Sequence, residues 1–202
     1  MANKPVIALD LDNVVFDTLS ITDEFVKIKL GLNPKPYTTY DFKHYPDAVA
    51  QAIIDFYSTP ESCKAGVCHP AFPMFYDYLT MKGYFVKFVS ARRPELLNAT
   101  LDQFKRAGIQ GVTEENVSLV HSHDKNGRLR EINPVVFVDD SPTVVLGAAA
   151  DKSLANTKIG LVSNARTVYN QYLQGHPTII HGDNVVEVVA RAMLNKRNLK
   201  VR

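Results

Sequence analysis

Val6-Ile7-Ala8-Leu9-Asp10-Leu11-Asp12-Asn13 sets a short apolar run directly against two carboxylates. A run of this length with no internal polar residue reads as a parallel strand buried on both faces. Strand side chains alternate, so Asp10 and Asp12 face one way and Leu9 and Leu11 the other. Two carboxylates on one side repel unless a cation or a proton lies between them. The pair therefore suits a magnesium site, built from the oxygen donors a hard cation prefers. A solvated loop after the strand is the alternative reading.

Outward from this stretch, strands and helices alternate. Tyr84 to Val89, Val117 to Val120, Val135 to Val138, Ile159 to Val162 and Thr178 to Ile180 read as further strands. Helices are expected over Phe72 to Met81, Pro94 to Ala107, Ala165 to Leu173 and Asn184 to Leu194, with a short one after Pro142. Such alternation predicts an α/β fold, a doubly wound, Rossmann-like, mostly parallel sheet. The region 18–70 breaks the rhythm. It carries a helix from Thr22 to Leu30, a Pro- and Tyr-rich stretch, a helix over Ala48 to Tyr57 capped by Asp47, and a loop from Ser58 to Pro70. It reads as a small helical cap inserted after the first strand, leaving 1–17 and 71–202 as the core domain.

Ligands of parallel sheets gather at the carboxyl ends of the strands, and three more strand ends are distinctive. Ser90-Ala91-Arg92-Arg93-Pro94 offers a hydroxyl and backbone N–H groups to a phosphate, or merely caps the helix that Pro94 begins. Lys125 can neutralise a phosphorylated intermediate, or it is a surface lysine. Asp139-Asp140-Ser141-Pro142 adds oxygen ligands for magnesium, or caps the next helix. Each signal is ambiguous alone; the order DxD, Ser, Lys, Asp-Asp is not.

On Asp10-Leu11-Asp12, Ser90, Lys125 and Asp139-Asp140, over residues 6–142, the chain resembles the haloacid dehalogenase superfamily of phosphatases. Asn13 stands where Gly is commonest, and Asn tolerates the left-handed backbone such a turn needs. Ala91-Arg92 stands where many members have Gly-Arg. The resemblance implies a magnesium-dependent phosphomonoester hydrolase with Asp10 as nucleophile and Asp12 as general acid and base. It places the metal on the Asp10 carboxylate, the Asp12 carbonyl and Asp139 or Asp140, and the phosphate on Ser90, Ala91 and Lys125. Thr38-Thr39-Tyr40-Asp41-Phe42, Ser122-His123-Asp124-Lys125 and Val138-Asp139-Asp140-Ser141-Pro142 look like the 5′(3′)-deoxyribonucleotidase branch. That likeness implies a nucleoside monophosphate as substrate, with Phe16 first, then Tyr40, Phe42 and Tyr45, as candidates to stack on the base, and Arg92 beside them. Sugar phosphates and polynucleotide 3′ ends are the alternatives. For the latter, Arg92, Arg93, Lys105, Arg106 and the basic C-terminus would follow a phosphate backbone. A non-catalytic binding protein keeping the fold is the remaining reading.

Composition fits this class. The 202 residues are 46% hydrophobic and 22% charged, with a formal net charge of +2, too small to argue for nucleic acid. The basic tail of Arg191, Lys196, Arg197, Lys200 and Arg202 reads as a solvated end. Cys63 and Cys68 make no disulfide framework, and a zinc site with His69 lacks a fourth ligand; buried thiols are the simpler reading. His121 and His123 are weak zinc signals without further ligands. No evident signal peptide and no bilayer-length apolar stretch are seen, so a small-molecule partner in the cytoplasm, with no membrane, is expected. The oligomeric state is not legible.

Overall fold

The structure, a computed structural model, describes residues 4–64, 67–121 and 124–194. Strands β1 (Val6–Leu9), β2 (Phe85–Ser90), β3 (Val117–Leu119), β4 (Val136–Asp139), β5 (Lys158–Val162) and β6 (Ile179–Gly182) form one sheet in the order β3-β2-β1-β4-β5-β6. Every pairing is parallel, and Leu9 stands level with Phe88 on one side and Val138 on the other. This is the expected doubly wound α/β sheet. The order reverses between β1 and β4, which opens a crevice at their carboxyl ends.

The apolar runs are nearly continuous because both faces are covered. Ile7, Leu9, Val136 and Val138 point to one face, with Phe72, Leu79, Phe88, Phe104 and Val188. Ala8 and Phe137 point to the other, with Leu129, Val145, Ile159 and Leu161. The first face is closed by α4 (Phe72–Met81), α5 (Leu97–Arg106) and α8 (Val185–Leu194), and the second by α6 (Lys125–Ile132) and α7 (Pro142–Ala150).

Between β1 and α4 the chain departs and returns at one place. Phe16 bridges Cys68, and the Asp17 N–H donates to the Val67 carbonyl at 3.0 Å. The excursion holds α1 (Thr18–Lys29), α2 (Asp47–Tyr57) and α3 (Glu61–Lys64). Val26, Tyr45 and Ile53 give it a small core of its own, and Phe25 stacks on Phe56 at 4.4 Å.

Local departures from the expected elements have local causes. Helix α1 begins at Thr18, not Thr22, because Asp17 caps the Ser20 N–H and Asn13 Oδ1 accepts from the Thr18 hydroxyl and the Leu19 N–H. Glu61–Lys64 is helical within the expected loop. Pro94 opens a 3-10 turn, Pro94–Leu96, before α5. Helix α6 gave no sequence signal, since its residues are mostly polar and it buries only Lys125 and Leu129. The expected helix over Ala165 to Leu173 is a 3-10 segment, Val168–Leu173, preceded by a turn in which Asn164 Oδ1 accepts from the Arg166 and Thr167 N–H groups.

Gly160 in β5 shows how closely α8 lies on the sheet: a Cβ there would meet Val188 Cγ1 at 2.3 Å and Val138 Cγ2 at 3.2 Å. Gly160→Ala should destabilise the protein by about 1–3 kcal/mol through overpacking. Gly127→Ala in α6, where a Cβ meets nothing within 4 Å, should be neutral or stabilising by up to about 1 kcal/mol. Urea unfolding of both variants checks the contrast; equal effects would contradict the close packing of α8.

Candidate active site

Asp10 follows β1, Asp139 ends β4 and Asp140 follows it, so adjacent parallel strands deliver these acids to the crevice at the order reversal. The Asp10 N–H extends the ladder by donating to the Val138 carbonyl at 2.8 Å, which fixes where its side chain emerges. Asp10, Asp139 and Asp140 are 3%, 0% and 1% exposed, and each has a carboxylate oxygen within 4.8 Å of the other two. Lys125, the first residue of α6, places its buried ammonium 2.8 Å from both Asp10 Oδ1 and Asp139 Oδ2. Asp139 Oδ1 accepts from the Ser141 N–H at 2.7 Å, and Asp140 Oδ2 accepts from Asn13 Nδ2 at 3.0 Å and the Tyr169 hydroxyl at 2.8 Å.

Three carboxylates, if all ionised, against one ammonium would leave two negative charges among buried side chains. Burial chiefly, with the neighbouring carboxylates against the opposing Lys125, holds the Asp10 carboxyl well above its ordinary range. Burial and then Asp139 push Asp140 up to about 7, although the Tyr169 and Asn13 hydrogen bonds and Lys125 act the other way. Burial alone would lower Lys125; Asp10 and Asp139 outweigh it and keep the ammonium charged. Buried Asp10 Oδ1 meets the Lys125 ammonium at 2.8 Å and no further hydrogen-bond donor among the described residues. An all-oxygen donor set, a residual charge of two and an open lone pair fit a hard divalent cation such as magnesium.

Asp12 lies on the wall of an adjoining cleft of about 710 Å³. The Arg92 guanidinium forks onto it, Nη2 donating to Oδ1 at 2.8 Å and Nε to Oδ2 at 3.0 Å. The Ser90 hydroxyl, fully buried, accepts from the Arg92 N–H at 3.3 Å and lies 3.4 Å from Asp12 Oδ2. Ala91, on the same loop, borders the cleft. The far wall is aromatic, with Tyr40, Phe42, Tyr57 and Tyr169, and Arg93 and His121 complete the rim. Tyr40 is 42% exposed as a residue, yet its phenol feels the charges of Asp140, Asp139 and Asp10. Burial and then those charges raise this phenol well above its ordinary value, with the Ser141 hydroxyl opposing.

Asp10, Lys125, Asp139 and Asp140 thus converge, with Asp12, Ser90 and Ala91 alongside. Tyr40 and Phe42 reach the cleft. Phe16 does not, and its expected place against a base is corrected: it is fully buried, edge-on to Phe104 at 5.3 Å and covered by the Arg92 guanidinium. Tyr45 belongs to the core of the excursion. Arg92 cannot track a phosphate backbone, because it is buried against Asp12; Arg106 is likewise committed to the Cys63 carbonyl at 2.7 Å, and Lys105 pairs with Asp102. Cys63 and Cys68 are buried free thiols, and Asp10, Asp139 and Asp140 are the one metal-compatible cluster among the described residues. His123, Lys196, Arg197, Lys200 and Arg202 lie outside the described residues. Among the described residues no helix is long and apolar enough to cross a membrane. Tyr169, Asn13 as a donor to Asp140, and Tyr57 were not foreseen. Asn13 alone had a signal, its left-handed turn, seen at φ 60°.

No family model and no curated protein sequence matches the chain. Among solved structures it is similar to a haloacid dehalogenase-like family hydrolase from Streptococcus pneumoniae, with TM-score 0.57 and 17% identity over 95% of this chain and 99% of that one. It is similar to the D,D-heptose 1,7-bisphosphate phosphatase of B. bronchiseptica complexed with magnesium and phosphate, with TM-score 0.53 and 17% identity over 95% and 99%. A HAD family hydrolase from Deinococcus radiodurans R1 with bound phosphate and sodium gives TM-score 0.55 and 14% identity over 97% of each chain. At these identities the likeness establishes a shared fold.

The buried acids make stability depend on pH and cation together. Without metal, Asp140 titrates near 7 when folded against 3.8 ordinarily, so between these values the native state holds a proton that the unfolded chain has released. Its contribution therefore falls as pH rises through that window. Wild type should lose thermal stability relative to Asp140→Asn as metal-free samples go from about pH 4 to about pH 7.5. Magnesium should raise the wild-type Tm more at about pH 8 than at about pH 5, since its ligands must be deprotonated. Thermal melts check both; a magnesium shift equal at the two pH values would contradict the linkage.

Proposed function

We propose that the chain is a magnesium-dependent phosphomonoester hydrolase that works through an aspartyl-phosphate on Asp10. The observation that carries this is the convergence of Asp10, Lys125, Asp139 and Asp140 at adjacent strand ends, with Asp12 on the wall of the adjoining cleft that Asp140 also lines. Asp10, Asp139 and Asp140 would hold the cation with side-chain oxygens, and Asp12 with its backbone carbonyl. Bound there, magnesium neutralises the residual charge and draws electron density from the phosphoryl oxygens.

Asp10 attacks phosphorus, and the bond from phosphorus to the ester oxygen breaks as the new bond to the carboxylate forms. Asp12 enters the step protonated and gives that proton to the departing oxygen; as the ionised carboxylate that the Arg92 fork grips, it then takes one from water. That water attacks phosphorus, the bond to Asp10 breaks, and phosphate leaves with the nucleophile restored. The Ser90 hydroxyl and the Ala91 N–H bind non-bridging phosphoryl oxygens. Lys125 balances charge as it moves from Asp10 to the phosphoryl group, a role suited to an ammonium already in contact with the nucleophile.

For the leaving group we favour a nucleoside. The cleft beside Asp12 is walled by Tyr40, Phe42 and Tyr57, faces that can take a flat base. Residues 18–70 would act as a cap, since this excursion supplies those three rings to a site whose carboxylates come from the sheet.

Steady-state hydrolysis of a phosphate-ester panel tests both levels. Asp10→Asn should lower kcat by at least about 10³-fold, and magnesium removal should act in the same direction. Undiminished turnover in Asp10→Asn would remove the nucleophile and the mechanism with it. Nucleoside monophosphates should be cleaved faster than sugar phosphates, and Tyr40→Ala should raise KM for them by about 10-fold. A faster rate on sugar phosphates would overturn the nucleoside assignment while leaving the chemistry intact.

A further inference from the structure

Arg92 lies at the bottom of the cleft wall, and its side chain is 4% exposed. One edge of its guanidinium serves Asp12: Nε reaches Oδ2 at 3.0 Å and Oδ1 at 3.3 Å, and Nη2 reaches Oδ1 at 2.8 Å. The other edge is held by α5 and the excursion. Nη1 donates to Gln103 Oε1 at 2.7 Å, to Thr100 Oγ1 at 3.2 Å and to Cys63 Sγ at 3.5 Å. The Phe16 ring supports the flat face of the fork, 5.8 Å from centroid to guanidinium carbon. Burying an arginine this fully carries a desolvation cost that an apolar side chain of similar volume would avoid. Packing alone does not call for the charge. What a planar fork provides and an apolar residue cannot is a fixed orientation for the carboxylate it grips.

We infer that Arg92 is the positioning residue of Asp12, holding its carboxylate at a set angle in the cleft and tying that angle to helix α3 of the inserted segment through Cys63. The inference rests on the phosphohydrolase reading, in which Asp12 carries the protons. Arg92 does not touch substrate in this account; it acts through Asp12. Cys63 is gripped twice, its thiol by Arg92 and its carbonyl by Arg106 at 2.7 Å. The second half of α3 is thereby registered to α5 and to the proton-transfer group at once. A proton-transfer group misplaced by an ångström loses rate and not affinity, because the substrate phosphate is bound by other residues.

The test compares wild type, Arg92→Gly, Arg92→Lys and Asp10→Asn by steady-state kinetics on an aryl phosphate with magnesium, with circular dichroism melts of each. Arg92→Gly should lower kcat by about 100-fold with KM changed less than about 3-fold, the signature of a lost transition-state interaction. Millimolar guanidinium, the missing fork supplied from solution, should recover at least about 10-fold of that loss. Arg92→Lys should stay impaired, since a point charge does not reproduce the fork. If Arg92→Gly fails to fold, Thr100→Val with Gln103→Met removes the outer anchors and leaves the fork in place. That pair should lower kcat by about 5-fold at unchanged KM, and an unchanged kcat would overturn the inference. A raised KM at unaltered kcat in Arg92→Gly would make Arg92 a substrate-binding residue and overturn it as well. Loss of activity in Asp10→Asn alongside normal kcat in Arg92→Gly overturns this inference only, whereas turnover surviving in Asp10→Asn overturns the reading beneath it.

Discussion

The Lys125 ammonium, 2.8 Å from carboxylate oxygens of both Asp10 and Asp139, is the contact on which the rest of the structure depends. Even with it, burial and mutual repulsion resist the full ionisation of the acids at these adjacent strand ends. One ammonium is also too little, and the two charges left over turn a structural liability into a cation site. Such a cluster is costly as decoration and economical as chemistry, because the charge that destabilises the metal-free fold is the charge that binds metal.

The sheet makes this arrangement possible. Parallel order delivers every strand's carboxyl end to one edge, and the reversal between β1 and β4 leaves room there for Asp10, Asp139 and Asp140. The excursion after Phe16 leaves and returns at one point, so it adds an aromatic wall without disturbing the ladder. Arg92 and Cys63 then join that excursion to the core at the height of Asp12. Chemistry and enclosure are thus supplied by separate parts of the chain and meet at one carboxylate.

The sheet was legible because its strands are short, apolar and bounded by breakers, and the acids at their ends kept a distinctive order. Those signals are local. What escaped depends on contacts between distant residues. Tyr169 reaches Asp140 from a 3-10 segment after β5, and nothing near it in sequence marks the hydroxyl as a partner. Phe16 is close to Asp10 along the chain but not in the cleft, because the turn after Asp12 rotates it inward onto Phe104. From the sequence, Arg92 is a candidate to bind the substrate beside the aromatic rings, or to follow a polynucleotide backbone, because a strand-end arginine can point either way. Only the burial of its side chain between Asp12 and α5 decides its direction. Helix α6 was missed for want of an apolar stripe, although it carries the lysine on which the site depends.

Crystals grown with manganese in place of magnesium and measured at the manganese absorption edge test the central claim most directly. Manganese prefers the same oxygen donors and reports its own position. An anomalous peak is expected about 2.0–2.3 Å from carboxylate oxygens of Asp10 and of Asp139 or Asp140. A peak elsewhere, or none at saturating manganese with the carboxylates still gathered, would contradict it.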